Sequence, residues 1–362
     1  MLYKVKKNMK YLKFFVIQLK LIVGSCMVMS MVFMSSCKCD RDKKDYNREV
    51  SESKLDSLSF IKVNINRYEK DLFAISPDSL KEGLSKIHDK YSFFYSLKDI
   101  EDPINIAYMK QYLNDPTIKS LYRETLKQYP SLSWLESDLT MVFRRIKYLI
   151  PSWTVPSVFT YISGGDIEYP IKYADNNLII ALDLFLGDSY PVYKMWGIPQ
   201  YIANRMTKEY LVVKCSMEIC RAWLEKNSPV GKSLLDKMIY EGKLLYFTDV
   251  TVPGYEDSIR IGYTSRQMYW AEKNQGNVWG FFIEKKLLHT TEMREINKFI
   301  GEAPFTSSFS NNSAPRIGSF IGWQIIRSYM VRNKSVTFEQ ILNNKNSQEI
   351  LNKSGYKPAK TE

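Results

Sequence analysis

The pattern of apolar and polar positions along the chain predicts a mainly helical protein. Positions 60–65 alternate between apolar and polar residues, which is typical of a strand. Ser76-Pro77 then opens a helix, because serine can cap a helix and proline is tolerated at its first position. Leu80, Leu84 and Ile87 continue the apolar face of this helix. Similar patterns predict further helices over 103–114, 116–129 and 134–149.

The centre of the chain has a different, β-rich character. Residues 157–163 are rich in β-branched and aromatic side chains, a turn follows at 164–166, and 177–187 has the composition of a well-buried strand. After Pro191 the pattern is helical almost to the end of the chain. We therefore predict an α+β fold that is mainly α, with a small central β-sheet flanked by helices.

Composition suggests the domain boundaries. Residues 37–57 contain too few apolar side chains to fold and are interpreted as a flexible tether, which places the globular domain at 58–352. Two packed lobes, about 58–150 and 151–352, are one arrangement that the pattern allows. Residues 353–362 form a polar tail that we expect to fray.

The first 36 residues have the layout of a lipoprotein signal peptide. Lysines without any acidic residue form a basic leader, and an uncharged, mostly apolar run extends from Leu21 to Ser36. Ser35-Ser36-Cys37 resembles a lipobox, in which the cysteine thiol receives a diacylglyceryl group before cleavage. We therefore expect Cys37 to carry the lipid, and two or more acyl chains give stable attachment to a membrane.

Other readings of this end of the chain are Cys26, Cys39 and a membrane span. Cleavage before Cys26 leaves the apolar run 27–33 at the mature N-terminus, and Cys39 needs Lys38 just before the cut. A spanning helix needs about 20 apolar residues, so the uncharged run is short for one, although counting back through Lys20 lengthens it.

The net charge of the chain, counted without the leader, bears on which partners it binds. The net charge of +12 falls to +6 without the leader, because the six lysines of the leader have no acidic counterparts. An exported protein meets no nucleic acid, so we expect the membrane, through the lipid, and unidentified envelope proteins as partners.

After Cys39 only Cys215 and Cys220 remain, and their spacing on one predicted helix places them on different faces. Neither a disulfide framework nor a cofactor is predicted.

Two glutamates have the spacing of a metallopeptidase site. In zincin-like enzymes, the two histidines of His-Glu-x-x-His bind zinc, the glutamate is the base, and a glutamate on the next helix is the third ligand. The matching register here is Met217-Glu218-Ile219-Cys220-Arg221, with Glu241-Gly242 on the next predicted helix. Both glutamates are present and both histidines are replaced, so we expect no catalytic residues and no bound metal. Alternatively, Glu218 and Glu241 are ordinary helix residues of a fold that never used zinc.

A second stretch, 315–330, combines an apolar helical stripe with a few polar side chains. Gly318 and Gly322 lie four residues apart on one face, where another backbone can approach closely. Core packing accounts for most of the stripe. The polar side chains extend a candidate cleft, interpreted as a degenerate active site, whose members are Glu218, Glu241, Arg221, Arg316, Gln324 and Arg327.

Four stretches of the sequence resemble the gliding motility lipoprotein GldB family of Bacteroidetes. They begin Asn66-Arg67-Tyr68-Glu69, Met238-Ile239-Tyr240-Glu241, Pro315-Arg316-Ile317-Gly318 (continuing into Gly322-Trp323-Gln324) and Ser354-Gly355-Tyr356. The resemblance implies an envelope lipoprotein needed by cell-surface gliding machinery, or by a broader envelope function in bacteria that do not glide. It also implies a fold distantly similar to zincin-like peptidases, from which this sequence departs at both histidine positions.

Three functions follow as hypotheses. The leading one is a lipid-tethered, non-catalytic scaffold whose cleft binds a partner or a peptide. The second is an envelope peptidase-like hydrolase that uses Glu218 and Glu241. The third is a surface glycan-binding lipoprotein, suggested by 7 Trp and 25 Tyr. Most of these rings are expected in the core, since Trp196, Trp223, Trp270, Trp279 and Trp323 have apolar neighbours in the sequence.

Overall fold

Helices surround a small sheet in a computed structural model that describes residues 50–359. The helices before the central strands are α1 (Glu52–Asp56), α2 (Tyr68–Phe73), α3 (Leu80–Tyr91), α4 (Leu97–Glu101), α5 (Pro103–Asn114), α6 (Pro116–Gln128) and α7 (Ser133–Leu149). The strands are β1 (Ile65–Arg67), β2 (Ser157–Tyr161), β3 (Ile171–Ala174) and β4 (Asn177–Ala181). The predicted class, α+β and mainly α, is confirmed.

The second half of the chain is helical. Its helices are α8 (Pro191–Met195), α9 (Gln200–Ala203), α10 (Leu211–Asn227), α11 (Leu234–Thr251), α12 (Asp257–Ile261), α13 (Ser265–Glu284), α14 (Met293–Ile300), α15 (Ile317–Arg332), α16 (Phe338–Asn343) and α17 (Ser347–Ser354). Across residues 50–359, no helix combines the length and the apolar character needed to traverse a lipid bilayer.

Local capping explains why several helices begin where the sequence predicts. Asp102 accepts a hydrogen bond from the backbone N–H of Ile104, and Asp115 accepts from two N–H groups at the start of α6. Each aspartate precedes a proline at the first helical position, whose fixed φ suits a helix start. These signals lie within four residues of sequence, so they can be recognised without the rest of the fold.

The sheet is mixed, with the strand order β1-β2-β4-β3. β1 is parallel to β2 and β2 is parallel to β4, whereas β3 and β4 form an antiparallel hairpin. Asp175 and Asn176 make the hairpin turn with φ values of 48° and 60°. A tight hairpin turn needs positive φ at both central residues, and Asp and Asn tolerate this conformation better than most residues.

Helices cover both faces of the sheet and enclose two hydrophobic clusters. Val158, Leu178 and Ile180 belong to the larger cluster, which also includes the buried side chains of α7, α10, α11 and α15. Phe159 points to the opposite face and joins a smaller cluster formed by α2–α5. α7 packs with the second half of the chain in the larger cluster, across residue 150, where two lobes were one possible division.

Helices α11 and α15 cross in close contact within the larger cluster. A Cβ atom at Gly322 would lie 1.7 Å from the carbonyl oxygen of Met238, and one at Gly242 would lie 2.4 Å from the backbone of Gly322. Any side chain at either glycine therefore meets backbone. The predicted close approach of another backbone at Gly322 is confirmed.

The strand expected over 60–65 is a wrong prediction in its extent. Ile61 and Val63 are buried, but the backbone N–H groups of Val63 and Ile65 donate to Thr140 Oγ1 and Glu136 Oε1 of α7. The alternation of apolar residues reflects an extended segment packed on a helix. Hydrogen bonding to another strand starts only at Ile65.

Both ends of the described chain are more structured than we expected. Residues 52–56 of the predicted tether form α1, and Leu55 is buried. In the predicted polar tail, Ser354 is buried and the ring of Tyr356 lies 5.4 Å from that of Trp279. Packed structure therefore extends beyond both boundaries of the predicted globular domain, 58 and 352.

Candidate functional site

One face of α10 presents charged side chains beside the larger cluster. Lys214, Glu218 and Arg221 lie three or four residues apart, so they share a face, and all three are half-buried. Cys215 and Cys220 point into the core, where both thiols are free and fully buried. Burial raises the pKa of each thiol, which leaves both side chains as neutral core residues.

The positive charge of Arg221 acts on both predicted glutamates. Its Nε atom lies 3.3 Å from Glu218 Oε2, and its charge also acts on Glu241 of α11. Burial raises the pKa of Glu218 and of Glu241, and Arg221 opposes the rise at both carboxyls. Arg221 therefore forms an ion pair with Glu218 and acts on Glu241 through its charge.

Arg316 also acts on Glu241, and it lines a small pocket. Its charge opposes the raised pKa of Glu241, and its guanidinium Nη2 donates to the carbonyl of Ile261 at 2.5 Å. Beside it, Arg205 binds Glu302 through both guanidinium Nη atoms, at 3.0 and 2.7 Å. The pocket has a volume of about 40 Å³, and its walls include Tyr201, Tyr210, Tyr263 and Gln267.

The charged residues that line this pocket influence Lys214. Burial, reinforced by the positive charges of Arg205 and Arg316, lowers the pKa of Lys214 to about 7. Its ammonium nitrogen lies 5.3 Å from the centre of the Phe185 ring, a cation–π contact. The charges of Arg205 and Arg316, which line the pocket, therefore act on Lys214, and that of Arg316 also acts on Glu241.

Arg327 lies in a different place, inside a buried ion network. Its Nε and Nη2 atoms donate to both oxygens of Asp249 at 2.7 Å, and it also binds Asp257. Arg260 contacts the same two aspartates, and Trp323 Nε1 donates to Asp249 at 2.9 Å. Two arginines and two aspartates balance one another, so this network ties α11, α12 and α15 together.

Two predicted site residues remain, Gln324 and Cys37. Gln324 is half-buried on α15, and no hydrogen bond or ion pair joins it to the other predicted site residues within positions 50–359. Cys37, the predicted lipid site, lies outside the described residues. Within 50–359, no group of three or more His, Cys, Asp or Glu side chains is arranged to hold a metal ion.

The aromatic residues considered for sugar stacking are largely core residues. Trp323 is fully buried, while Trp196, Trp223, Trp270 and Trp279 are partly buried and pack against the larger cluster. This agrees with the expectation that these rings fill the interior.

Several residues of the cleft and of the ion network were missed from the sequence. Lys214 could have been found, because it lies four residues before Glu218 on the same helix face. Asp249 also gave a signal, since a charged residue within the buried run 244–252 requires a partner. Arg205 and Glu302 gave none, because 97 residues separate them and both lie between helices.

Comparison with known proteins assigns the chain to a family. A family model described as gliding motility protein GldB matches residues 44–358. No curated protein matches the chain, and no solved structure does. The match covers most of the sequence and confirms the resemblance seen in the four stretches, so this chain belongs to the GldB family of gliding motility proteins.

Proposed function

We propose that this protein is a lipid-anchored component of the cell envelope that serves the gliding machinery by binding a partner protein in its cleft, without catalysis. Family membership supports the connection with gliding motility. The lipobox-like Ser35-Ser36-Cys37 supports the anchor. Membership alone does not separate a binding role from a catalytic one, so that distinction rests on the cleft.

The observation that carries the binding role is the placement of Arg221. In the peptidase-like register, Arg221 stands where the second metal-binding histidine would be, and its charge acts on both Glu218 and Glu241. A guanidinium has five N–H donors and no acceptor, so it cannot take the place of an imidazole ligand. The two carboxylates act as its counter-ions, an arrangement suited to recognising polar groups of a partner.

Site-specific crosslinking in cells tests the partner-binding role. A photo-crosslinking phenylalanine analogue replaces Tyr240, which is half-buried beside Glu241, in the full-length chain. A matched analogue at Tyr269, which is 60% exposed on α13, serves as the control. We expect a discrete envelope protein to be captured from position 240 only, and Arg221→Gln to reduce the capture. Identical products from both positions, or none from position 240, would contradict the proposal.

Mass spectrometry of the N-terminal peptide tests the anchor independently. We expect the mature chain to begin at Cys37 with a diacylglyceryl group on its Sγ atom and an acylated amino group. Cys37→Ser should move the protein out of the membrane fraction. A mature chain that retains the leader, or an unmodified Cys37, would show that the anchor is wrongly assigned.

The raised pKa values of Glu218 and Glu241 favour a second candidate, a peptidase-like hydrolase. Carboxyls of raised pKa in a cleft can serve as general acids or bases. Hydrolysis of an envelope peptide that disappears in Glu218→Gln, with the fold intact by circular dichroism, would establish this alternative in place of the binding role.

A further inference from the structure

We infer that the pocket between Arg205 and Arg316 binds a carboxylate of a partner peptide, and that Glu302 is its built-in competitor. The inference rests on the proposed partner-binding function and specifies the chemical group that the cleft recognises. It assigns a role to three residues that the peptidase-like spacing does not include or explain.

The exposures of the three side chains show which one covers the others. Arg205 and Arg316 retain only 13% and 12% of their side-chain exposure, whereas Glu302 retains 46%. The carboxylate therefore lies on the solvent side of two nearly buried guanidinium groups. A side chain in this position occupies the place that a carboxylate arriving from solvent would take.

Glu302 accepts hydrogen bonds from Arg205 but lies farther from the guanidinium group of Arg316. It receives two short hydrogen bonds from Arg205, but Arg316 Nε lies 3.6 Å from its nearer oxygen. Within the described residues, this Nε atom is buried and has no hydrogen-bond partner. Buried donors are nearly always paired in native proteins, so an unpaired guanidinium donor beside a pocket indicates room for another acceptor.

The charge balance of the pocket also favours an anion. Two guanidinium groups face a single carboxylate at close range. Arg316 and Arg205 hold the pKa of Glu302 below its usual range, although burial opposes them. Lys214, whose pKa is lowered mainly by burial and further by Arg205 and Arg316, contributes positive charge when it is protonated.

The side chain that already occupies the pocket indicates a carboxylate as its ligand. Glu302 accepts two hydrogen bonds from Arg205, so the site already holds a carboxylate. The planar fork of arginine matches carboxylate and phosphate alike, so the titration includes phosphate to separate the two anions.

The loop that carries Glu302 and Arg316 holds one end of the site firmly. Thr306 and Ser313 cross-link the loop 301–316, with Thr306 Oγ1 donating to the carbonyl of Ala314 at 2.7 Å. Arg316 is held further by its bond to Ile261. A ligand carboxylate can therefore replace Glu302 by rotation of the exposed glutamate side chain, while Arg316 keeps its position.

Calorimetric titration of the full-length protein in detergent tests the site with defined probes. These are N-acetyl-trialanine with a free C-terminal carboxylate, its C-terminal amide, the same amide with a central glutamate, and inorganic phosphate. We expect the free acid to bind and the plain amide not to bind. Binding of the glutamate-containing amide would identify an acidic side chain as a further source of the same carboxylate chemistry.

Three variants of the site and one control variant test the direction of the effect. Glu302→Gln should tighten binding of the free acid severalfold, because the competing charge is removed. Arg205→Gln should weaken it about tenfold or more. Arg205→Lys, which keeps the charge but loses the fork, guards against misfolding and should weaken it less. Glu295→Gln, in the exposed pair with Lys298 on α14, should change nothing.

The inference is wrong if Glu302→Gln binds the free acid no better than the wild type, or if phosphate binds as tightly as the acid. The outcome is separable from that of the crosslinking experiment. Capture of a partner at position 240 without carboxylate binding would overturn this inference alone, whereas carboxylate binding without such capture would overturn the partner-binding proposal.

Discussion

At the scale of single residues, Asp249 and Arg327 show how a charge is accommodated in the core. Asp249 is fully buried, and it accepts hydrogen bonds from Arg327 and Trp323. A buried pair gains little over an apolar pair of the same shape, because both charges lose their water. Losing one partner is costly, since the other charge then stays buried without compensation.

Arg327→Met therefore tests the ion network. We expect this substitution to lower the free energy of unfolding by about 3–5 kcal/mol, measured by urea denaturation. The control is Lys81→Met, which breaks the exposed pair with Glu101 and should cost less than about 1 kcal/mol. Equal, small effects of the two substitutions would mean that Arg327 does not compensate a buried charge.

Lys214 makes the stability of the folded protein depend on pH, and its replacement should remove this contribution. Its pKa is about 7 in the folded protein against an ordinary 10.5, so folding disfavours the charged amine. Below about pH 7 this cost is fully present. Between about pH 7 and 10.5 the unfolded chain binds a proton that the folded chain does not, and stability rises with pH.

We accordingly expect Lys214→Met to be more stable than the wild type at about pH 6.5, and this advantage to shrink at about pH 9.5. Paired urea titrations of both proteins cancel the contribution of Lys243, another lysine of lowered pKa. An advantage of equal size at both pH values would show that Lys214 has an ordinary pKa in the folded protein.

The candidate cleft could be predicted from the sequence only where its residues share a helix or a spacing. Glu218 and Arg221 lie on one face of α10, and Glu241 follows on the next helix, so a local pattern identified them. The pairing of Arg205 with Glu302 depends on how distant loops meet. Arg327 was assigned to the cleft because side-chain type does not tell which face of a buried helix turns toward which neighbour.

At the scale of elements, the crossing of α11 and α15 depends on glycine. A Cβ at Gly322 would lie 1.7 Å from the carbonyl oxygen of Met238, and backbone cannot yield as a flexible side chain can. The crossing helices contribute large buried side chains to the larger cluster, including Phe247, Phe320 and Trp323. Separating them to admit one methyl group loosens contacts along both helices.

Gly322→Ala should thus lower the free energy of unfolding by about 3 kcal/mol or more, at or above the upper end for overpacked cores. Gly254→Ala is the matched control, because no atom of the described chain lies within 4 Å of a Cβ built there. It should be neutral or slightly stabilising, since alanine reduces the freedom of the unfolded chain. Similar melting temperatures for both variants would mean that α11 and α15 do not cross this closely.

Helices were more predictable than the sheet for a physical reason. The starts of α5 and α6 are determined by an aspartate and a proline that are adjacent in the sequence. β1 depends on pairing with β2, about 90 residues away, and its preceding residues bind side chains of α7 instead. An alternation of apolar and polar residues indicates that one side of an extended segment is buried. It does not show whether that side packs on a strand or on a helix.

At the scale of the whole molecule, the last helices close the fold. Ile350 of α17 is fully buried, and Ser328 donates to the carbonyl of Ser354 at 2.8 Å. Lys243 is buried and donates to the carbonyls of Leu342 and Asn344 at the end of α16. The C-terminal segment thus covers α15 and supplies acceptors for a buried ammonium group.

Truncation separates this packed segment from the residues that follow it. Ending the chain after residue 357 should leave the melting temperature unchanged, because Tyr356 and its contact with Trp279 are retained. Ending it after residue 346 removes α17 and should cost more than about 3 kcal/mol, since burial of one large apolar side chain such as Ile350 contributes about 1.5–3 kcal/mol and the cover over α15 is lost as well. Differential scanning calorimetry of the two truncated chains measures the difference. If both melt together, the boundary of the stable fold lies at residue 346 or before, and the packing of Ile350 and Ser354 contributes nothing to stability.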